Sequence, residues 1–287
     1  GQLVINRYTI IGQPVAQSVS PAIHHLFGEL TQRRIHYTRT EATKESFAQI
    51  VKDWQESGGK GCNVTAPFKE LAATVCHRLN DSAIMAEAVN TIEIHRDGLL
   101  VGHNTDGMGL LADIEKNKRV SVANKRVLIL GAGGATRGAM GPLLAANPAC
   151  LHIANRSLDK AEALANKFAA NGPTAYSNYE ELNELESFDI IINATSMGFD
   201  NSAPPIPTSI FHADTFAYDM MYKAEQTPFL ALCESFGVKH YANGFGMLVE
   251  QAADAYLIWE GVRPKTRKIY LATDEIAQGG LNQAASA

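Results

Sequence analysis

The chain has 287 residues and a net charge of −5 at pH 7, so it lacks the basic excess that nucleic-acid binding requires. Its four cysteines show neither a Cys-x-x-Cys pair nor a zinc-type spacing, which argues against a zinc site and favours reduced thiols. No apolar run reaches the length of a membrane span, and no signal peptide is expected. We therefore expect a cytoplasmic protein, with no membrane or nucleic acid as a partner, that is long enough for two domains.

The first hundred residues alternate between predicted strands and helices, as in an α/β domain. Residues 89–95 and 99–103 flank the turn Arg96-Asp97-Gly98 and predict an antiparallel hairpin, so the sheet should be mixed but mostly parallel. A helix over 105–118 should lead into the next domain. The other elements predicted here are strands over 8–12, 35–40 and 60–64 and helices over 21–33 and 43–57.

A second, Rossmann-like domain is predicted from the apolar run at 127–130, which leads through glycines into a helical pattern. Its later strands are expected at 151–154, 188–193 and 215–219. Two helices, at 247–259 and 265–277, are left over, and we expect them to pack back on the first domain before a frayed tail from Gln278. The predicted domains are thus 1–106 for the substrate, 107–243 for the dinucleotide, and 244–287 for the returning helices.

The glycines after the 127–130 run have the character of a phosphate-binding loop. Gly131, Gly133 and Gly134 permit a tight turn, and the next helix offers unpaired N–H groups and a positive dipole end to a pyrophosphate. No Gly-Lys-Ser/Thr follows, so the loop is not a P-loop, and Thr136 replaces the third glycine of the strict dinucleotide motif. A plain strand-to-helix turn is the alternative.

The segment after the 151–154 strand indicates which dinucleotide is bound. Arg156 and Ser157, together with Lys160, form a candidate clamp for the 2′-phosphate of NADP. Lys160 is equally well explained as an ordinary exposed charge on a helix. Asp159 would suit NAD, but an acid in the first turn of a helix is also stabilised by the helix dipole.

Two later strand ends carry further candidates. Thr195 and Ser196 follow the 188–193 strand and should point into the ligand crevice of an open α/β sheet. Met220 either lines a nicotinamide pocket or fills the core. Tyr222 is a candidate for contact with a substrate carboxylate.

Polar side chains of the first domain lie at predicted helix starts. Ser18 and Ser20 precede or begin a helix, where Ser20 is also a good N-cap, and two hydroxyls at such a place suit a carboxylate. Thr65 is expected to cap a helix that starts at Ala66, which would place Lys69 in its first turn. A cation there opposes the helix dipole, so stability alone does not explain it and proton transfer becomes a candidate role.

Asp106 supplies a carboxylate that complements Lys69. If the two face each other in a cleft between the domains, they form an acid/base pair that delivers a proton to an alkoxide formed from a carbonyl. Asn90 offers a donor and an acceptor for a substrate hydroxyl, although asparagine is also a common turn former. Gln251, on an otherwise apolar helix face, needs partners that a polyhydroxylated substrate would provide.

Eight motifs in a fixed order extend this interpretation to nearly the whole chain. They are Ser18-Val19-Ser20-Pro21, Asn63-Val64-Thr65 with Pro67 and Lys69, Ala88-Val89-Asn90-Thr91, Asn104-Thr105-Asp106-Gly107, Gly131-Ala132-Gly133-Gly134-Ala135, Asn155-Arg156-Ser157, Asn193-Ala194-Thr195-Ser196 and Gly244-Phe245-Gly246-Met247-Leu248. Together they resemble the shikimate dehydrogenase family. The resemblance implies an enzyme that uses NADPH to reduce 3-dehydroshikimate to shikimate, in the pathway to chorismate and the aromatic amino acids. A quinate/shikimate dehydrogenase that uses NAD and a non-catalytic NADP- or ligand-binding relative are the alternatives.

The resemblance also implies residue roles, and we expect no metal and a monomer or homodimer. Lys69 and Asp106 would be the catalytic pair. The substrate carboxylate would be held by Ser18, Ser20 and Tyr222, and its hydroxyls by Thr65, Asn90, Asp106 and Gln251. The cofactor would be held at the pyrophosphate by Gly131, Ala132, Gly133, Gly134 and Ala135, at the adenosine phosphate by Asn155, Arg156, Ser157 and Lys160, and farther along by Thr195, Ser196, Met197, Met220 and Gly244.

This chain departs from the family pattern at several positions. Val19 replaces a frequent lysine, His103 a frequent acid, and Asn243 a frequent aspartate. None of these changes removes a predicted catalytic group. Leu158, where NAD-dependent relatives tend to place an acid, argues for NADP.

Overall fold

The computed structural model describes residues 4–272, which fold as two compact units. The first unit is formed by the chain up to Gly109 and again from Val249, and the second by Leu110–Leu248. Each contains one six-stranded sheet. The tail predicted to fray from Gln278, and the end of the last predicted helix at 273–277, lie outside the described residues.

The first unit is a mixed sheet covered by helices. The elements in chain order are β1 (Asn6–Gly12), α1 (Ser20–Thr31), β2 (Ile35–Glu41), α2 (Phe47–Glu56), β3 (Gly61–Val64), α3 (Lys69–Val75), β4 (Arg78–Leu79), α4 (Asp81–Ala86), β5 (Thr91–Ile94), β6 (Leu100–His103) and α5 (Asp106–Ala112). The strand order in the sheet is β2-β1-β3-β5-β6-β4. Strand β1 pairs in parallel with β2 and β3, whereas β5 runs antiparallel to both β3 and β6. The predicted hairpin is therefore confirmed as β5 and β6.

The strands of the first unit place several polar segments on one edge of the sheet. Asn63 of β3 pairs with Thr91 of β5, and Thr91 pairs in turn with His103 of β6. The residues just after β3, just before β5 and just after β6 therefore meet at the same edge. This register is what brings Lys69, Asn90 and Asp106 into one neighbourhood.

The second unit contains a parallel sheet. Its elements are β7 (Arg126–Leu130), α6 (Gly134–Ala145), β8 (Cys150–Ala154), α7 (Leu158–Lys167), β9 (Thr174–Ser177), β10 (Phe188–Asn193), β11 (Phe211–Asp219), α8 (Pro228–Ser235) and β12 (His240–Ala242). The strand order is β12-β11-β10-β7-β8-β9. The apolar run of β7 is fully buried, as expected of a central strand covered on both faces. The order reverses at β7, which lies between β10 and β8, so the ligand crevice of such a sheet is expected at the carboxyl ends of β7 and β10.

The last helices return to the first unit, as predicted. These are α9 (Phe245–Glu260), whose residues from Val249 onward belong to that unit, and α10 (Arg267–Leu271). The Trp259 ring stacks on Tyr8 of β1 with ring centroids 4.4 Å apart. Glu260, which is buried, accepts hydrogen bonds from the Tyr8 hydroxyl and, at 2.9 Å, from Asn6 Nδ2. These contacts fix the end of the chain to its first strand.

One predicted helix differs in detail. The helix expected at 105–118 begins at Asp106 and ends in a single π-helical turn, Asp113–Asn117.

Within residues 4–272, no helix has both the length and the apolar character needed to cross a bilayer.

Candidate active site

Lys69 and Asp106 form an ion pair at the shared edge of the first sheet. Lys69 Nζ donates to Asp106 Oδ2 at 2.7 Å, and the two side chains are 36% and 22% exposed. The pair is therefore partly withdrawn from solvent but open to a ligand. Asp106 is the first residue of α5, where its backbone N–H donates to Asn104 Oδ1 at 3.0 Å.

The start of α3 differs from the prediction. The helix begins at Lys69, whereas we expected it to begin at Ala66 with Thr65 as its cap. Ala66 precedes Pro67, and the residue before a proline is sterically disfavoured in the helical region. A turn occupies these positions instead, in which the Phe68 N–H donates to the Thr65 carbonyl oxygen at 3.0 Å.

Asn90 is the centre of the polar network around Asp106. It is 3% exposed, and its Nδ2 donates to Asp106 Oδ1 at 3.0 Å, to Thr105 Oγ1 at 2.8 Å and to Gln251 Oε1 at 3.3 Å. Its Oδ1 accepts from the Thr105 N–H and the Thr91 hydroxyl, both at 2.9 Å. The amide thus uses its donors and acceptors within the protein, and its main effect is to hold two other predicted site residues.

Gln251 joins this network from α9. Besides the contact with Asn90, its backbone carbonyl oxygen accepts from Thr105 Oγ1 at 3.0 Å. The structure therefore brings four predicted residues together within the first unit: Lys69, Asn90, Asp106 and Gln251. The sequence interpretation did not assign a role to Thr105, although it lies within a quoted motif next to Asp106.

The capping of α1 differs from the prediction that Ser20 is its N-cap. Ser20 is the first residue of the helix rather than its N-cap, which is Val19, and Ser18 Oγ accepts the Ser20 N–H at 3.2 Å. Pro21 fits either arrangement, because proline is favoured throughout the first helical turn, so it could not fix the boundary. Arg39, which the sequence did not single out, donates to the Ser18 carbonyl oxygen at 2.6 Å from Nη2 and 3.1 Å from Nε. A cation therefore lies beside these two serines.

The glycine loop of the second unit borders a cavity of about 640 Å³ at the carboxyl ends of β7 and β10. Gly131 has φ +107°, and a Cβ atom there would lie 3.2 Å from Thr195 Cγ2. In the part of the chain that the structure describes, no atom other than those of Gly133 and its chain neighbours lies within 4 Å of a Cβ position there, so the backbone is open to a ligand. The cavity is lined by Gly131, Ala132, Gly133, Gly134, Ala135, Asn155, Arg156, Tyr179, Ala194, Thr195, Ser196, Met197, Asp200 and Ser202.

Thr136 explains the departure from the strict glycine motif. Its side chain is buried, and Oγ1 donates to the Gly131 carbonyl oxygen at 2.7 Å, which closes the turn from inside. The turn therefore keeps its shape without a third glycine. The amino end of α6 behind it presents backbone N–H groups to the cavity, so the loop fits a pyrophosphate.

Arg156 and Lys160 follow β8 in the chain and place two positive charges there. Both side chains are exposed, and neither pairs with an acid among residues 4–272. Two such cations suit a phosphate dianion, so these residues fit the 2′-phosphate of NADP. Arg156 also borders a neighbouring cavity of about 560 Å³ together with Tyr179, which the sequence interpretation missed. Burial raises the pKa of the Tyr179 phenol.

The ends of β10 and β11 are joined by a buried polar pair. Asn193 Nδ2 donates to Asp219 Oδ1 at 3.3 Å, and Asn193 Oδ1 accepts the Thr195 hydroxyl at 2.8 Å. Burial, in spite of hydrogen bonds that oppose it, raises the pKa of the Asp219 carboxyl. Thr195 is thus held by an internal contact. Asn193 belongs to the Asn193-Ala194-Thr195-Ser196 motif but had no predicted role of its own, and an asparagine at the end of an apolar strand is the sequence signal that could have identified it.

Met220 and Gly244, the two residues predicted at the nicotinamide end, are in contact. A Cβ atom on Gly244 would lie 1.9 Å from the Met220 carbonyl oxygen, so no side chain is possible there.

Tyr222 lies two residues after Met220 and is half-buried, with its ring centroid 6.1 Å from that of Phe245. Burial raises the pKa of Tyr222 to about 12. Tyr222 belongs to the second unit, whereas Ser18 and Ser20 belong to the first.

A parallel sheet with a glycine loop, a fitting dinucleotide cavity and a separate lysine–carboxylate pair define a nicotinamide-dependent oxidoreductase. Two family models match the chain: "Shikimate dehydrogenase substrate binding domain" over residues 10–92 and "Shikimate / quinate 5-dehydrogenase" over residues 113–199. The chain belongs to the shikimate dehydrogenase family, and the resemblance found in the sequence is confirmed.

Known relatives are similar over most of this chain. It is 47% identical to a shikimate dehydrogenase (NADP(+)) of Aeromonas hydrophila, over 92% of this chain and 96% of the relative. The crystal structure of an Ael1 enzyme from Pseudomonas putida is 42% identical, with a TM-score of 0.88, and covers 95% of this chain and 97% of its own. Shikimate 5-dehydrogenase from Thermus thermophilus, in complex with NADP(H) and shikimate, is 30% identical with a TM-score of 0.83, over 94% and 99% of the two chains.

Proposed function

We propose that this protein catalyses the reversible, NADPH-dependent reduction of 3-dehydroshikimate to shikimate, in the pathway to chorismate and the aromatic amino acids. The observation that carries the proposal is the 2.7 Å contact between Lys69 Nζ and Asp106 Oδ2 in a chain of this family. A carbonyl reduction needs a proton at the oxygen as well as a hydride at the carbon, and this pair provides a placed proton donor.

Lys69 is the general acid in this proposal. Its ammonium group donates a proton to the substrate oxygen that becomes the C3 hydroxyl, and in the reverse direction the amine accepts that proton. Asp106 orients the ammonium group through its Oδ2 atom, and Asn90 orients Asp106 by donating to the other carboxylate oxygen. Each member of the pair is thus held by a contact that does not involve the substrate.

The other proposed site residues bind and orient the substrate. Ser18 and Ser20 anchor the carboxylate, with Tyr222 as a further donor to it. The hydroxyls are surrounded by Thr65, Lys69, Asn90, Asp106 and Gln251, and within this set the Lys69–Asp106 pair reacts. Orientation matters because hydride transfer depends on close approach and alignment.

The second unit holds the cofactor, which as NADPH would supply the hydride for the reduction and as NADP would accept it in the reverse direction. Gly131 to Ala135 hold the pyrophosphate, and Asn155, Arg156, Ser157 and Lys160 the adenosine phosphate. Farther along the cavity, Thr195, Ser196 and Met197 line the path to the nicotinamide end at Met220 and Gly244. The domain roles follow: 1–106 for substrate and catalysis, 107–243 for NADP, and 244–287 for the C-terminal helices.

We also propose that the enzyme acts in the cytoplasm, as a monomer or homodimer, without nucleic acid or membrane as a partner. A net charge of −5 supports the absence of nucleic-acid binding. Free cysteines at positions 62, 76, 150 and 233 support a reducing compartment.

The experiment that tests the proposed reaction follows the absorbance of NADPH as the purified protein is mixed with NADP and shikimate. Parallel reactions contain the other three combinations: quinate with NADP, shikimate with NAD, and quinate with NAD. Turnover should be highest with shikimate and NADP. Preference for quinate with NAD would support the dual-specificity alternative, and cofactor binding without turnover would support a non-catalytic relative.

A further inference from the structure

Asp113 is a fully buried carboxylate to which no motif assigned a role. It begins the π-helical turn Asp113–Asn117 that follows α5. Its Oδ1 accepts from Asn117 Nδ2 at 2.8 Å and its Oδ2 from the Tyr218 hydroxyl at 2.7 Å. Burying a carboxylate is costly even when it is hydrogen-bonded, and single π-helical turns occur often at functional sites. Packing alone therefore explains neither the buried carboxylate nor the π-helical turn.

A third contact of Asp113 is the first turn of α9. A Cβ atom on Gly246 would lie 2.0 Å from Asp113 Oδ1 and 2.3 Å from Oδ2, so the carboxylate occupies the space where a side chain would be. The amino end of a helix carries positive partial charge and unpaired N–H groups, which favour an anion at this position. Asp113 therefore packs directly against the first turn of α9 within the second unit.

Two short paths of contact lead from Asp113 to Met220. Along β11, Tyr218 is bound to Asp113 and lies two residues before Met220. The second path runs through the start of α9, where Gly246 of the first turn packs on Asp113. Gly244, just before the helix, packs on the Met220 carbonyl oxygen, and its N–H donates to the Met221 carbonyl oxygen at 3.1 Å. The paths converge on the residue proposed to border the nicotinamide.

We infer that Asp113 is a positioning residue for the nicotinamide end of the cofactor site, acting through Tyr218 and the Gly244–Gly246 turn on Met220. This inference rests on the proposed function in that it takes Met220 and Gly244 as the nicotinamide end. Asp113 itself touches neither substrate nor cofactor. Its removal should therefore disturb one end of the cofactor site and leave the adenosine end intact.

The test compares two ligands by isothermal titration calorimetry: NADPH, and adenosine 2′,5′-bisphosphate, which lacks the nicotinamide. In Asp113→Asn the neutral amide no longer matches the helix amino end, and NADPH affinity should fall by about 10- to 100-fold. Affinity for the bisphosphate should stay within about twofold of wild type. Tyr218→Phe, which removes one partner and keeps the ring, should show the same selectivity with a smaller loss.

Asp189→Asn is the matched control. Asp189 is also a hydrogen-bonded carboxylate of the second unit, at the start of β10, where it accepts from the Arg126 N–H and His212 Nε2, both at 2.8 Å. This variant should bind both ligands as wild type does. Circular dichroism of all variants confirms that the fold is retained, and Tyr218→Phe carries the test if Asp113→Asn does not fold.

Equal weakening of both ligands in Asp113→Asn and Tyr218→Phe, or unchanged NADPH affinity in a folded variant, would overturn the inference. The binding measurement is independent of turnover. Wild-type protein that binds NADPH but does not oxidise shikimate would contradict the proposed reaction, while the variants would still decide the role of Asp113.

Discussion

Lys69 Nζ and Asp106 Oδ2 lie 2.7 Å apart, although the two residues are 37 positions apart in the chain. They meet because α3 follows β3 and α5 follows β6, and β5 pairs with both of these strands. The ion pair is thus built into the sheet rather than into a flexible loop. This placement gives the pair the fixed geometry that proton transfer requires.

Asp106→Asn should lower kcat for shikimate oxidation by about 100-fold, because the amide keeps the shape of the side chain but loses the charge that orients Lys69. The KM for shikimate should rise as well, since Asp106 also faces a substrate hydroxyl in the proposed complex. Steady-state kinetics with NADP at saturation measure both constants. A variant with wild-type kcat would remove Asp106 from the catalytic pair.

Asn90→Ala should lower both stability and turnover. Its removal leaves the buried Thr105 N–H without a partner, and an unsatisfied buried group costs about 1–3 kcal/mol. One oxygen of the partly exposed Asp106 also loses its donor. Urea denaturation should show this loss in the free energy of unfolding, and kcat should fall because Asp106 is less well held. If only the KM for shikimate changed, Asn90 would be a simple substrate contact, as the sequence first suggested.

Much of the site follows from the sequence because it depends on local chemistry. An apolar strand that ends in glycines indicates a tight turn into the next helix, so the turn at Gly131 to Gly134 can be predicted without coordinates. Lys69 stood out because a cation at a helix start opposes the dipole. The fold class was confirmed for the same reason, since alternation of strands and helices is a periodic signal.

What the sequence did not reveal depends on tertiary contacts. The short helices α3 and α4 and the two-residue strand β4 have too few residues to show a period, and packing decides their bounds. The hydrogen bond from Thr136 Oγ1 to the Gly131 carbonyl oxygen cannot be predicted from the sequence, because it depends on which atoms the fold brings together. The same is true of the hydrogen bonds that the Asn90 amide makes within the protein. Tyr179 was missed because it reaches the cavity from a loop after β9 that carries no motif.

Arg156→Ala should weaken NADP binding by about 10- to 100-fold and leave NAD binding unchanged, because a charge-assisted contact to the 2′-phosphate is worth about 1.5–3 kcal/mol. Fluorescence or calorimetric titration with each dinucleotide measures the two affinities. Lys167→Ala, which removes the same charge from the far end of α7, is the control and should bind both as wild type does. Equal loss of NAD and NADP affinity would place Arg156 away from the 2′-phosphate.

The protein should lose stability as the pH falls below about 6.5, the ordinary pKa of histidine. Burial lowers the pKa of His24 to about 3 and, with help from Arg126, that of His152 to about 4. Between these values and 6.5 the unfolded chain binds protons that the folded chain does not. The stabilisation is therefore complete above 6.5 and decreases with acidification, by about 1.4 kcal/mol per pH unit for each histidine.

His24→Phe tests this pH dependence. The His24 ring stacks on Tyr37 with centroids 4.5 Å apart, so an aromatic replacement suits the site. The free energy of unfolding is measured by urea titration from about pH 4.5 to 6.5. Its decrease with falling pH should be smaller in the variant by about 1.4 kcal/mol per pH unit, because one proton fewer is taken up on unfolding. Comparison at each pH removes the effect of the carboxylates, which both proteins share. Identical slopes would show that His24 is not neutral in the folded state.

The measurement that tests the central claim is the turnover number of Lys69→Ala for NADP reduction by shikimate. Removing a general acid should lower kcat by about 100- to 10,000-fold with a much smaller change in KM. Lys52→Ala, which removes an exposed lysine from α2, is the control and should keep wild-type kcat. Wild-type turnover in folded Lys69→Ala protein would contradict the claim that the Lys69–Asp106 pair carries the proton.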